Sequence, residues 1–187
     1  MKYKEEVYLE ENGEKIYGEK LPVIINADSE YNLTYITVFK NGLISSFWGL
    51  KNLDEIKSKI KSGKILQNIP DNIELECDPG MIQSAQFIPE KSDDDFIKEI
   101  EDLINEFNNR DTRRSICEKA FKTYLIEPSE INLASLTNCY NDLPSHQKVI
   151  FEYIEEKDPL CSVMNEGEIY TSENRKEILK LYFKIEL

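Results

Sequence analysis

Carboxylates are the reactive groups this chain holds in quantity. It carries 36 aspartates and glutamates against 23 lysines and arginines, with one histidine and four cysteines. Carboxylates that converge on a cleft can act as general acid and base or hold a divalent cation. Asp93-Asp94-Asp95 is the densest run, but it lacks the spacing of an EF-hand loop. Directly after Ser92 it reads more simply as a solvated first helical turn, where negative charge meets the helix dipole. Glu74, Glu76 and Asp78 alternate with Ile73, Leu75 and Cys77. That period of two sets three acids on the outer face of a strand.

The remaining nucleophiles and ligands give little. His146 follows Pro144-Ser145 at an expected helix start and reads as a surface or capping residue. Cys77, Cys117, Cys139 and Cys161 are widely spaced, with no C-x-x-C pair. They read as reduced, mostly buried thiols rather than a zinc site. No P-loop, dinucleotide fingerprint, H-E-x-x-H or G-x-S-x-G occurs, and seven glycines leave little for a phosphate-cradling loop. The expectation is a protein without cofactor or metal that is not an enzyme.

The net charge of −13 is unevenly spread. Residues 71–109 hold twelve acids and two lysines, so −10 of the −13 falls in 39 positions. Such a chain repels nucleic acid and anionic membrane. Arg110, Arg113 and Arg114 form the only basic cluster, too small to reverse that field. A basic protein is the natural partner. The acids expected to meet it are Glu74, Glu76, Asp78, Asp94, Asp95, Glu99 and Asp102. No apolar run approaches 18 residues and the first residues lack an apolar signal core, so the expected location is the cytoplasm.

The strongest structural signal is Tyr31–Leu50. Asn41-Gly42 lies between two runs rich in aromatic and β-branched residues and suits a two-residue type I′ turn. That register sets Phe39 against Ile44, Thr37 against Ser46 and Tyr35 against Trp48, and leaves apolar residues on both faces. The hairpin is therefore expected inside a sheet, with packing on both sides. Tyr35 and Trp48 would form a core pair. The alternative is a ligand shelf made of Tyr35, Thr37, Ser46 and Trp48, in a pocket between sheet and helices.

Other elements are spelled out by turns and caps. A first hairpin turns at Asn12-Gly13, and Leu21–Ala27 reads as a separate strand. Asn52 with Glu55 three residues on forms a capping box, and Gly63 suits the end of that helix. Short strands follow at Ile65–Ile69, Ile73–Cys77 and Met81–Ile88. At Ser92 the period changes to about 3.6. Helices are expected from Ser92, from Asp111 or Thr112, after Pro128-Ser129, from Pro144 with Ile150, Tyr153 and Ile154 inward, and from Thr171 or Ser172. A closing strand at Leu179–Ile185 is the alternative to the last of these. The fold class is α+β: a mostly antiparallel sheet with one short helix over residues 1–90, then four to five helices over 91–187.

Tyr35, Asn41-Gly42 and Trp48, then Ser62-Gly63-Lys64 and Pro70, then Tyr124-Leu125, Pro128, Leu143-Pro144, His146 and Asp158 resemble an uncharacterised bacterial family, a domain of unknown function. The resemblance spans most of residues 31–160 and implies structure rather than chemistry, since those positions are turns, caps and core. In size and acidity the chain is also similar to small cytosolic immunity proteins that neutralise bacterial toxins. The expected function is an interaction protein that masks a basic toxin, with a small-molecule binding module as the alternative.

Overall fold

In the computed structural model, residues 6–28, 30–68, 74–77, 80–82, 91–148, 158–166 and 170–185 are described. The architecture is α+β, a curled and mostly antiparallel sheet followed by helices. The chain forms two compact units, residues 1–110 and 111–187. The sequence pattern suggested a boundary near residue 90. The first helix after the sheet instead lays Phe96, Ile97 and Ile100 on the sheet's core, so it belongs to the first unit.

The sheet begins with β1 (Val7–Glu11) and β2 (Glu14–Ala27). They are joined at Asn12 and Gly13, both at positive φ (53° and 82°), as a type I′ turn requires. Leu21–Ala27 is not a separate strand but the second half of β2. β3 (Glu30–Phe39) pairs with β2 along its whole length. The other edge of β3 is shared. β4 (Ile44–Ser46) pairs antiparallel at Thr37 and Val38, and β7 (Leu75–Cys77) pairs parallel at Tyr31 and Asn32. β5 (Gly49–Lys51) extends β4, and β8 (Gly80–Ile82) extends β7. β6 (Ile65–Leu66) pairs with the end of β2. The described part of the expected Met81–Ile88 strand is β8.

The central hairpin differs from its expected form by one residue. Gly42 N–H donates to Phe39 O at 2.9 Å, and Phe39 N–H donates to Leu43 O at 2.9 Å. Only Gly42, at φ 82°, takes the left-handed conformation, while Asn41 Oδ1 accepts the Leu43 N–H at 3.1 Å. This is a three-residue loop closed by a glycine bulge, not a two-residue turn. Val38 therefore faces Ile44, and Thr37 faces Ser45. A one-residue shift moves every side chain to the other face. Here it gathers Ile36, Val38 and Ile44 on one side, all fully buried. On the other side Phe39 is buried but Leu33 and Tyr35 are exposed, so packing covers only the Phe39 end of that face rather than both faces throughout. The second strand also stops at Ser46 and turns back at Phe47-Trp48. Tyr35 and Trp48 do not pair.

The buried face carries Leu21, Val23 and Ile25 of β2 with Ile36, Val38 and Ile44, and two helices cover it. α1 (Leu53–Lys61) contributes Ile56 and Ile60. Its capping box is complete: Asn52 accepts the Glu55 N–H at 2.9 Å and Glu55 accepts the Asn52 N–H at 3.1 Å. Gly63 follows the cap at φ 69°. α2 (Asp93–Phe107) starts at Ser92, whose Oγ accepts the Asp95 N–H at 3.1 Å. Lys57 and Glu101 join the two helices at 2.6 Å.

The second unit is helical. α3 (Arg113–Ile126), α4 (Glu130–Asp142), α5 (Pro159–Glu166) and α6 (Ser172–Phe183) enclose Cys117, Phe121, Leu125, Leu136, Leu160 and Leu179. Thr112, Ser129 and Thr171 cap three of them through their hydroxyls. Arg113 and Arg114 meet the wrong end of the α3 dipole. Asp142 and Glu118 offset them at 3.1 and 2.9 Å. Of the expected fourth helix, residues 144–148 are described, with Ser145–Gln147 as one 3₁₀ turn, and Ile150, Tyr153 and Ile154 lie outside the described residues. Residues 172–183 are helical, so the alternative closing strand at Leu179–Ile185 is not formed. Of the four free thiols, Cys117 is buried and Cys77, Cys139 and Cys161 are half-buried, fewer fully buried than the sequence suggested. No helix among the described residues is long and apolar enough to cross a membrane.

Candidate functional site

The acids expected to form one docking face are not equivalent. Glu74 and Glu76 are exposed beside and within β7, and Asp94 is exposed in the first turn of α2. Asp95 and Asp102, seven residues apart on α2, are each only 7% exposed. They border the helical stripe that packs on the sheet, which removes them from any docking face. Glu99 is half-buried and held by Lys91 at 2.6 Å. Asp78 lies outside the described residues. The sharp density of charge at the start of α2 has a local effect instead. Loss of hydration raises the Asp93 carboxyl above its ordinary range, and the charge of Asp94 adds to that rise.

The expected ligand shelf is also taken apart. Tyr35 and Thr37 share the open face of β3, and Thr37 faces Ser45 rather than Ser46. The Ser46 hydroxyl donates to Gly49 O at 3.1 Å, closing the Phe47-Trp48 turn. Trp48 packs against the sheet's core with the Lys59 ammonium 4.0 Å from its ring centroid. His146 sits exposed on the 3₁₀ turn. Among the described residues no group of three or more histidines, cysteines or acids is arranged to hold a metal.

What the structure does bring together is a cleft of about 760 Å³ at the end of the sheet where β3 meets β7 and β8. Asp28, Glu30 and Glu76 supply carboxylates. Leu33, Phe47 and Met81 supply apolar surface, and the described lining contains no lysine or arginine. Phe47 is 69% exposed and Met81 58% exposed, although both are large and apolar. Exposed apolar groups that cluster within a polar rim mark binding surfaces more often than scattered ones do. The cleft depends on topology. β4 and β7 approach the same edge of β3 from opposite ends and leave a space between them.

The two-residue turn expected at Asn41-Gly42 would carry the second strand on past Ser46, whereas β4 ends there and Phe47 stands in the turn to β5. Asp28 and Glu30 flank the β2–β3 turn, and nothing local ties them to Glu76, which the parallel β3–β7 pairing brings alongside. The signal the sequence offers is Asp28-Ser29, two turn-forming residues between two apolar runs; in the structure Asp28 takes φ 52° there.

Residues 6–111 match the model of the family described as a domain of unknown function (DUF7638). This chain belongs to that family. The matched segment covers more than half of the chain and coincides with the first compact unit, residues 1–110. The cleft therefore lies wholly inside the DUF7638 segment. Tyr124, Leu143, His146 and Asp158, which carried part of the sequence resemblance, lie beyond it. No curated protein and no solved structure matches the chain.

Proposed function

We propose that this chain is a cytoplasmic interaction protein whose partner is a basic protein, of the kind that masks the positively charged active site of a toxin. One observation carries the reading: the DUF7638 unit exposes Leu33, Phe47 and Met81 beside Asp28, Glu30 and Glu76, with no cation in the described lining. Apolar anchors provide affinity when buried by a partner, and the acidic rim steers a cation toward them. The net charge of −13 supports the same choice of partner at longer range.

The test is co-purification with the product of the neighbouring reading frame at low salt. Recovery of a basic protein, lost on the double substitution Glu30→Lys and Glu76→Lys, supports the reading. Absence of any basic partner at low salt, together with no effect of the charge reversal in the cell, sinks it. The volume of the cleft, within the range of small-ligand sites, supports a second reading as a module for a small cation. Its test is a thermal-shift screen of amines, since a ligand that binds only the folded state raises the melting temperature.

A further inference from the structure

The face of the sheet that carries the core runs on into the cleft. Along β3, Val38 and Ile36 on that face are fully buried, Thr34 and Asn32 are half-buried and Glu30 is exposed. Residues opposite one another in a ladder share a face. Register therefore sets one row across it: Ile25 faces Asn32, Asn32 faces Glu76 and Glu76 faces Met81. Glu30 and Thr34, two residues to either side of Asn32, project the same way about 7 Å from it along the strand. These residues all line the cleft. Among the described residues, no side-chain hydrogen bond or ion pair engages Glu30, Asn32, Thr34 or Glu76. The core face thus ends in a floor of four polar side chains, with Met81 and Phe47 as apolar surface in the same lining.

We propose that the cleft is a pocket for one arginine side chain of the basic partner, with Glu76 and Glu30 holding the guanidinium and the Asn32 amide oxygen and Thr34 hydroxyl as further acceptors. The inference rests on the reading of the chain as a binder of a basic protein, and it names the group of that partner which the cleft takes. Charge sets the sign of the occupant, since the described lining holds three carboxylates and no cation. A second copy of this chain brings a further −13 and is repelled. Geometry chooses between arginine and lysine. The acceptors are spread along β3, with Glu76 beside the middle one, and do not close on a single point. An ammonium is a compact, strongly hydrated point charge with three donors, whereas a guanidinium spreads five donors over a plane and is more weakly hydrated. Its flat face stacks on an aromatic ring and its stem lies on apolar surface, which Phe47 and Met81 offer.

The probe is a pentapeptide with one arginine among glycines, titrated into the isotope-labelled full chain and read by amide chemical shifts. The salt is about 0.15 M, where the field of the whole molecule is screened beyond about 8 Å. Saturable shifts are expected at Asn32, Thr34 and Glu76. The citrulline copy, alike in shape but uncharged, should bind at least about tenfold more weakly, and the lysine copy several-fold more weakly. Glu76→Gln should cost about tenfold in affinity. Glu106→Gln removes the same charge outside the cleft and should cost nothing. Both positions are exposed, and a thermal melt confirms that the variants fold. Equal affinity for the citrulline or the lysine copy, or an unchanged affinity in Glu76→Gln, overturns the pocket. So does a failure to saturate with a Kd below about 1 mM, or shifts confined to other residues. If the basic partner still co-purifies in that event, only the pocket falls; if it does not, the wider reading falls with it.

Discussion

The ring of Phe39 lies directly on Gly18, its opposite number across the β2–β3 ladder. A Cβ placed on Gly18 would sit 2.7 Å from Phe39 Cδ1 and 2.7 Å from the Val38 carbonyl oxygen. Glycine within a strand ordinarily costs about 0.5–1 kcal/mol relative to alanine, through chain entropy and lost packing. Here the sign reverses, because the carbonyl is backbone and cannot move aside cheaply. Gly18→Ala should destabilise the first unit by about 1–3 kcal/mol. Urea denaturation checks this, and a stabilised variant would show that the ring does not rest there.

The same dipeptide, Asn-Gly, makes two different turns in this chain, and that shows where sequence reading stops. At Asn12-Gly13 both residues take positive φ, and the two-residue turn is as expected. At Asn41-Gly42 the asparagine stays outside the left-handed region, its side chain accepts the Leu43 N–H, and one extra residue enters the loop. Both turns suit Asn-Gly. The choice is made by the core, because only the shifted register buries Ile44 with Ile36 and Val38. Features that close within one turn of chain were legible: the caps at Asn52 and Ser92 form, and the structure settles the helix starts expected near Asp111 or Thr112, after Pro128 and at Thr171 or Ser172 on Thr112, Ser129 and Thr171. The cleft was not, since it depends on the parallel pairing of Asn32 with Glu76 across 44 positions. Nor does charge counting reveal that Asp95 and Asp102 are buried.

The capping box of α1 makes a prediction about acid. The Asn52 N–H and then Lys51 hold the Glu55 carboxyl below its ordinary range. A carboxylate depressed in the folded state adds stability at neutral pH. That contribution starts to fall near the unfolded value and is gone below the folded one. Glu55→Gln keeps an acceptor for the Asn52 N–H and has nothing to titrate. Stability measured from about pH 7 to about pH 3 should therefore fall less steeply in the variant than in the wild type. Parallel curves would remove Glu55 from the acid response. Asn52→Ala, by contrast, should cost about 1 kcal/mol at every pH.

Lys59 over Trp48 separates charge from packing. Its ammonium is 4.0 Å from the ring centroid, a distance at which a cation is attracted to the ring face. Yet loss of hydration, then Lys64 and Lys51, lowers the Lys59 pKa, so the surroundings as a whole disfavour its charge. The aliphatic stem is then the stabilising part. Lys59→Met should leave stability within about 1 kcal/mol of the wild type, while Lys59→Ala should lower it further and red-shift the Trp48 emission. Equal losses in the two variants would return the credit to the ammonium.

Asp158 opens α5 and also governs a thiol. It is 2% exposed, and Oδ1 accepts the N–H groups of Leu160 and Cys161 at 2.8 and 3.1 Å, with Pro159 at the first helical position. Asp158→Ala leaves those donors without that acceptor and should cost about 2 kcal/mol; Asp158→Asn keeps the oxygen and should cost less. The carboxylate has a second effect. Burial raises the Cys161 thiol pKa, the charge of Asp158 raises it further, and the Tyr140 hydroxyl partly opposes them. Since the thiolate is the reacting form, Asp158→Asn should speed alkylation of Cys161 by iodoacetamide in the folded protein. Cys117, fully buried and pushed up to about 12, should be modified last in both proteins. Peptide mapping of the alkylation time course reads both rates together. An unchanged Cys161 rate in a folded Asp158→Asn protein would mean that the aspartate acts only as a cap. Early labelling of Cys117 would mean that the second unit opens faster than its buried helical core allows.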